Sequence, residues 1–387
     1  MWNVNGDELV IAGVRIPKQV VSAVMVVVAA VLGVVGALGI QAAVTAGFSN
    51  GSSSGDNSSQ AGSSGSDSAP VRTVQLLYAG AFDLGAVARQ DPALVTEFGG
   101  LSGIDSVGEG AGQRFIAISD DKGDFGPVRA YYVRQQSGNG DVSQFSVDGK
   151  LVFTRADGSE YAAAGEYIDA EEIRVLPNGN FLWTTEGRAK GSVVPPMLIE
   201  SAPNGKEIRR IAVPAHHVPS GNGSYGVKDN EGPEAMAVIP GMDTAVTINE
   251  DALAQDRGRL ARMTFYDLIT GTAVKEFAVP VSIGRGIASV VADEEGVLYM
   301  LERGFNPVTK KNTASIYRLN TEGAQDVLDT SQLSGREPAV RKELVLQLPG
   351  HPDNVEGLAW SEGALLVVSD NNFNPQQRTL VHTLRRY

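Results

Sequence analysis

Acidic side chains recur at matched places in this chain, and the matching defines a repeated unit. Each copy has a short segment opening on small or acidic residues, a turn containing Gly, then a strongly apolar strand closing on a polar or acidic residue. The copies are residues 100–104 leading to 115–120, 169–173 leading to 181–186, 232–236 leading to 245–250, 286–290 leading to 297–302, and 354–358 leading to 365–370. Positions 102, 171, 234, 288 and 356 are equivalent. If the two segments are antiparallel strands, the start of the first and the end of the second lie at the same end of the unit. One mouth then collects Asp120 and Asp121, Glu171 and Glu186, Glu234 and Glu250, Glu302 with Arg303, and Glu356 with Asp370. Carboxylates crowded in this way repel one another unless hydrogen-bond donors or a hard cation sit among them, and Ca²⁺ takes about 6 to 8 oxygen ligands of this kind. The expected metal ligands are Asp120, Glu171, Glu234, Glu250, Glu356 and Asp370, with Ca²⁺ as the expected cation. The competing reading is that each acid only caps backbone N–H groups of a neighbouring unit.

Other chemistries find little support. The chain has no cysteine, which removes disulfides, thiol nucleophiles and Cys-ligated metals. His216, His217, His351 and His382 show no i, i+4 pair and no HExxH, and there is neither a GxSxG elbow nor a Walker A loop. His216 and His217, between Pro214 and Pro219, read as loop residues. Asp370-Asn371-Asn372-Phe373 reads as an Asx turn.

The elements that must position the acids follow from the same repeat. After each strand pair comes a third β-rich segment (129–134, 196–200, 262–266, 315–319, 379–384) and usually a fourth (151–153, 208–213, 275–281, 344–348). Four antiparallel strands per unit make a propeller blade. The expected fold is therefore all-β, a β-propeller of five to six four-stranded blades. Five are counted directly, and a sixth is sought in residues 79–97 or 156–168. The last copy lacks a fourth strand, which residues 71–78 can supply to close the ring. A short helical turn fits residues 86–98. With 45 glycines, 42% hydrophobic residues and 387 residues in all, the composition suits many tight turns around a packed core. A net charge of −13 argues against a nucleic-acid partner.

The first 70 residues differ in kind. Residues 19–55 carry no charged side chain, and residues 20–40 are apolar apart from Ser22 and three glycines. Twenty-one residues at ~1.5 Å per residue match the hydrocarbon thickness of a bilayer. Arg15 and Lys18 precede the span, and Asp56 and Asp67 are the first charges after it, which places the N-terminus in the cytoplasm. Residues 49–70 are almost entirely Ser, Gly, Asn, Gln, Ala and Asp, a flexible tether. The expected organisation is a cytoplasmic segment at 1–19, a transmembrane anchor or uncleaved signal at 20–45, a linker at 46–70, and the propeller at 71–387 outside the cell membrane. Cleavage after the small residues Val44-Thr45-Ala46 would instead release a secreted protein.

The motifs resemble the phytase-like family, described as having esterase-like activity of phytase. The matching stretches are Gly100-Leu101-Ser102-Gly103-Ile104 with Ser119-Asp120-Asp121, Asp169-Ala170-Glu171 with Thr185-Glu186-Gly187, residues 227–236 (VKDNEGPEAM), 249–256 (NEDALAQD), Leu301-Glu302-Arg303, and 353–359 (DNVEGLA) with 369–373 (SDNNF). Two departures stand out: Glu172 follows Glu171, and Ala235 follows Glu234, where Gly would let the backbone approach a ligand. The resemblance implies an exported propeller that hydrolyses phosphate or other esters at a metal-containing mouth, with Arg303 orienting phosphate and Lys228 assisting. The expected partners are a small-molecule ester or phosphoester and, through the N-terminal helix, a membrane. Two alternatives stay open. One is a non-catalytic propeller binding an envelope protein or glycan. The other is a lactonase-type propeller with one central Ca²⁺ on Glu234, Asn249, Asn354 and Glu356.

Overall fold

In the computed structural model the chain is described at residues 3–5, 8–11 and 14–17, and at 74–387 apart from 109–112, 137–141 and 162–166. Contacts divide it into residues 1–70 and 71–387. The first unit contains a three-stranded antiparallel sheet of β1 (Asn3–Asn5), β2 (Glu8–Ile11) and β3 (Val14–Pro17). The apolar span at 20–40 and the linker lie outside the described residues. Among those described, no helix is long and apolar enough to cross a membrane.

The second unit is a five-bladed propeller of four-stranded antiparallel sheets. Blade 1 is β5 (Leu101–Ser106), β6 (Arg114–Ser119), β7 (Arg129–Gln136) and β8 (Gln144–Val152). Blade 2 is β9 (Ala170–Val175), β10 (Phe181–Thr185), β11 (Met197–Ser201) and β12 (Glu207–Ala212). Blade 3 is β13 (Ala235–Val238), β14 (Thr244–Ile248), β15 (Leu260–Asp267) and β16 (Thr272–Pro280). Blade 4 is β17 (Gly286–Ala292), β18 (Leu298–Asn306), β19 (Lys311–Asn320) and β20 (Arg341–Gln347). Blade 5 takes β21 (Asn354–Ser361), β22 (Ala364–Asp370) and β23 (Leu380–Arg386) from the C-terminal end, and its outer strand is β4 (Leu76–Asp83).

The closing strand therefore runs a few residues later than residues 71–78. Leu76 pairs with Arg386 and Asp83 with Leu380. The expectation of a possible sixth blade is corrected. Residues 79–83 extend the closing strand, and Asp83 then caps the short helix α1 (Leu84–Ala88) by accepting from the Ala86 N–H at 2.8 Å. Of residues 156–168, those described form a turn and an isolated bridge, Thr154 to Glu160.

No single core serves the ring. Five buried apolar clusters each join two neighbouring blades. Phe115 and Tyr131 of blade 1 meet Leu366 and Val368 of blade 5, for example, and Ile116 and Ile118 of blade 1 meet Trp183 and Ile199 of blade 2. The same pattern joins blades 2 and 3, 3 and 4, and 4 and 5. Each blade buries both faces, so its second strand (β6, β10, β14, β18 or β22) reads as a near-continuous apolar run rather than as an alternating one.

The axis of the ring is filled by one blade. Arg174, buried, donates from Nη1 to the carbonyls of Ile104 (2.6 Å) and Ile173 (2.8 Å), from Nε to that of Met236 (2.9 Å) and from Nη2 to that of Val290 (2.8 Å). It thereby ties the inner strands of four blades together. Glu172 pairs with it at 3.0 Å and accepts from Ser289 Oγ at 2.6 Å, while Ser289 Oγ accepts from the Leu358 N–H of the fifth blade at 3.2 Å. Such a side chain fits only if its neighbours are small. A Cβ on Gly103 would lie 2.3 Å from Glu172 Oε1. The Glu172 departure from the family motif is thus a structural plug, and the mouth has a closed floor.

Candidate metal centre

Inner strands deliver their acids through bulges. In β9, Ile173 pairs with Trp183 and Ala170 with Thr185, so Glu171 and Glu172 together face Thr184. In β17 the extra residue is Ala288, in β21 it is Glu356, and in β5 the pair Ser102 and Gly103 faces Ile118. A bulge kinks the strand and re-aims one side chain out of the pleat. These are positions 102, 171, 288 and 356 of the sequence repeat. Blade 3 differs, because β13 keeps register from Ala235 onward and Glu234 precedes it.

The mouth holds Asp120, Asp169, Glu171, Glu186, Glu234, Glu250, Glu356 and Asp370. Against them stand Arg303, and Lys122 from the loop after β6. Arg303 donates from Nε to Glu356 at 2.6 Å and lies 3.4 Å from Glu234 and 3.7 Å from Glu250. Lys122 reaches Asp169 at 2.5 Å and Asn230 at 2.8 Å. Asn354 Nδ2 donates to Glu356 Oε1 at 2.6 Å and, more weakly, to Asp370 Oδ2 at 3.4 Å. Ser102 Oγ donates to Glu171 at 3.0 Å.

Of the six expected metal ligands, Glu171, Glu234 and Glu250 fall in groups of converging oxygens. Asp120 and Glu356 lie within electrostatic reach of these and Asp370 within reach of Asp120 and Glu356, but the three join no such group among the described residues. Lys228 stands at the rim, where it pairs with Glu231. Glu302 points away from Arg303 and binds Lys342 and the Ser282 N–H. Asp121 also turns away, accepting from three backbone N–H groups and from Arg129. Lys122 and Asp169 were not singled out as site residues from sequence. Asp169 opens its repeat copy, but nothing in the sequence marks Lys122, whose reach depends on the loop's path.

Burial and mutual repulsion raise these carboxyls. Burial first, then the charges of Asp370, Asp169 and Glu356, push Asp120 well above the usual carboxylate range, with Lys122 opposing. Burial and the charges of Asp169, Glu186 and Glu234 do the same to Glu171. Burial raises Glu356 to about 8, against the pull of Arg303, and Asp370 to about 6. Acids whose folded pKa is raised add stability that is full below their unfolded pKa and is lost as pH climbs to the folded one. The protein kept in chelator should therefore melt at progressively lower temperature from about pH 4.5 to 8. Calorimetry across that range checks it, and a melting temperature that rises with pH would contradict it.

Two groups of oxygens converge closely enough to hold a metal ion: Asp169, Glu171 and Glu186, and Glu186, Glu234 and Glu250, each within 4.8 Å of one another. Glu186 belongs to both. Its Oε1 accepts from the Gly232 N–H at 3.0 Å, while its Oε2 and Asp169 Oδ1 are buried with no hydrogen-bond partner. A hard cation fits that donor set, because orphaned buried carboxylate oxygens are costly and ligation satisfies them. A third group, His216, His217 and Glu276, is different. Glu276 already accepts from both imidazoles at 2.9 and 2.7 Å, from Arg262 at 2.7 Å and from Thr264 at 2.8 Å. The adjacent guanidinium makes it a satisfied structural network, in the loop that sequence assigned to the two histidines.

A family model described as "Phytase-like: Esterase-like activity of phytase" matches residues 96–373. The chain belongs to this family. The match spans the mouth of the phytase-like domain from before Asp120 to beyond Asp370. No curated protein matches the sequence. Among solved structures, an endo-arabinase from Bacteroides thetaiotaomicron is similar over 75% of this chain and 95% of its own, at 12% identity and TM-score 0.40. A glycosyl hydrolase from Bacteroides ovatus covers 80% and 90% at 11% identity and TM-score 0.38, and a glucose dehydrogenase 78% and 98% at 8% and 0.39. At this distance none of them bears on the chemistry.

Proposed function

We propose that this phytase-like chain is a membrane-tethered, extracytoplasmic, cation-dependent hydrolase of phosphate or other esters. The observation that carries the reading is the pair of orphaned, buried oxygens on Asp169 and Glu186 within converging acid groups. Asp169, Glu171, Glu186, Glu234 and Glu250 would hold the cation, most simply Ca²⁺ given an all-oxygen donor set. When bound, it supplies charge neutralisation at a phosphoryl or acyl oxygen and an acidified water. Arg303 orients Glu234, Glu250 and Glu356 and adds positive charge beside an incoming anion. Asp370 lies in blade 5, not adjacent to blade 2. Its carboxyl, raised to about 6, is protonated only below that pH, so it would serve a leaving alkoxide as proton donor in mildly acidic solution. Lys228 sits where it can meet substrate at the rim.

Hydrolysis of p-nitrophenyl phosphate and p-nitrophenyl acetate tests the reading. Chelation should abolish turnover and added Ca²⁺ restore it. Turnover that survives exhaustive chelation rejects cation dependence. Stabilisation by Ca²⁺ without hydrolysis of either ester moves the reading to a binding propeller. The tether rests on the uncharged, 21-residue apolar segment at 20–40. Fractionation should leave the full chain in membranes, and mature protein beginning near Gly47 in the medium would overturn it.

A further inference from the structure

Beside the acids lies an aromatic pair that the hydrolytic reading does not use. Phe125 and Phe373 stack with centroids 4.2 Å apart and planes 12° from parallel, and Phe125 is 49% exposed. The pair borders the mouth. A Cβ added to Gly100 would lie 2.2 Å from Asp120 Oδ1 and 2.6 Å from Phe373 Cε2, so ring edge and carboxylate are close neighbours. Lys122, three residues before Phe125, already reaches Asp169 among the acids.

The position of the rings is over-determined. Asn372 and Phe373 both adopt left-handed backbone, each with φ 49°, which costs energy in a non-Gly residue. Asn371 Oδ1 holds the turn by accepting from the N–H groups of Gly100 (3.0 Å) and Phe373 (3.2 Å). Gly99 and Gly100 leave the space that Phe373 fills, since a Cβ on Gly99 would come 3.0 Å from its Cδ1. On the other side, Asp121 accepts from the Phe125 N–H and from Arg129, whose guanidinium lies 5.8 Å from the Phe373 ring centroid. One buried ion pair therefore steadies both rings. Simple burial of apolar surface does not explain them, because the outer ring remains half in solvent.

We infer that Phe125, backed by Phe373, is a stacking shelf that selects esters whose alcohol portion presents a ring or flat apolar face, the ester group reaching the acids beside it. This rests on the proposed ester chemistry of the mouth and narrows its substrate class away from small aliphatic or purely anionic esters. Phe125 is a specificity residue. It touches no reacting atom.

Calorimetric titration of the full chain in Ca²⁺ with phenyl phosphate, glycerol 2-phosphate and inorganic phosphate tests it, with released phosphate assayed so that the heat of binding is read apart from the heat of any hydrolysis. Phenyl phosphate should bind more tightly than the other two. Phe125→Ala should weaken phenyl phosphate by about three- to tenfold, the scale of one aromatic stacking contact, and leave inorganic phosphate unchanged. Phe125→Tyr should retain the preference. A parent that does not favour phenyl phosphate overturns the shelf, as does a Phe125→Ala variant that keeps the preference or loses all three ligands equally. Preference without hydrolysis of any ester would leave the shelf standing and sink the hydrolase reading instead.

Discussion

Glu186→Gln should raise the melting temperature of the cation-free protein and at the same time abolish its response to Ca²⁺. The variant keeps an acceptor at Oε1 for the Gly232 N–H, so the local backbone stays capped. It removes one of the charges crowded between Asp169, Glu171, Glu234 and Glu250, which relieves repulsion in the empty protein. It also removes the carboxylate common to both converging groups. The parent should gain about 2.7 kcal/mol of stability at free cation 100 times its dissociation constant. For a domain of this size that is a shift of roughly 4 °C. The variant should lose about 100-fold or more in cation affinity, since even outer-shell partners typically cost 10–100-fold. Differential scanning calorimetry with chelator and with Ca²⁺ reads both signs. A purely structural cap would lower the melting temperature in chelator and leave any Ca²⁺ response intact.

Arg174→Met should be the most damaging single substitution outside the mouth. It strips the donor from four backbone carbonyls on four blades and leaves Glu172 buried without its counter-ion. Removing one partner of a buried pair typically costs about 3–5 kcal/mol. That is a fall of roughly 5–8 °C in melting temperature at the entropy of unfolding usual per residue. Pairing it with Glu172→Gln should recover part of the loss, because the uncompensated charge disappears while the amide can still meet Ser289. A single variant that melts within 1 °C of the parent would show that the axis is not a structural tie.

Much of this was legible from residue types. The recurrence of apolar strands ending on acids gave the blades, the closing strand and the gathering of Glu171, Glu234 and Glu356, because strand alternation and antiparallel return are local rules. Bulges were not legible. Whether Ser102, Glu171 or Ala288 leaves the pleat depends on what pairs opposite, and a repeat position alone does not state the register. Glu172 read as a lapse from a Gly motif because its partner, Arg174, gains meaning only at an axis shared by five strands. The number of blades reads as five or six, since residues 79–97 and 156–168 show no clear strand period; Leu84, Ala88 and Leu94, with Phe98 just after them, pack instead against blades 1 and 5.

The strand that completes blade 5 also gives the domain a handle with a direction. β22 ends at the acids with Asp370, β23 starts back from that side at Leu380, and β4 runs antiparallel to it, so Asp83 lies at the mouth end and Leu76 at the far end. The polypeptide leading into Leu76 thus joins the outer rim on the face opposite the carboxylates, behind the floor sealed by Glu172 and Arg174. The chain enters the ring on the face away from the acids, and the acid-lined face carries no part of that entry.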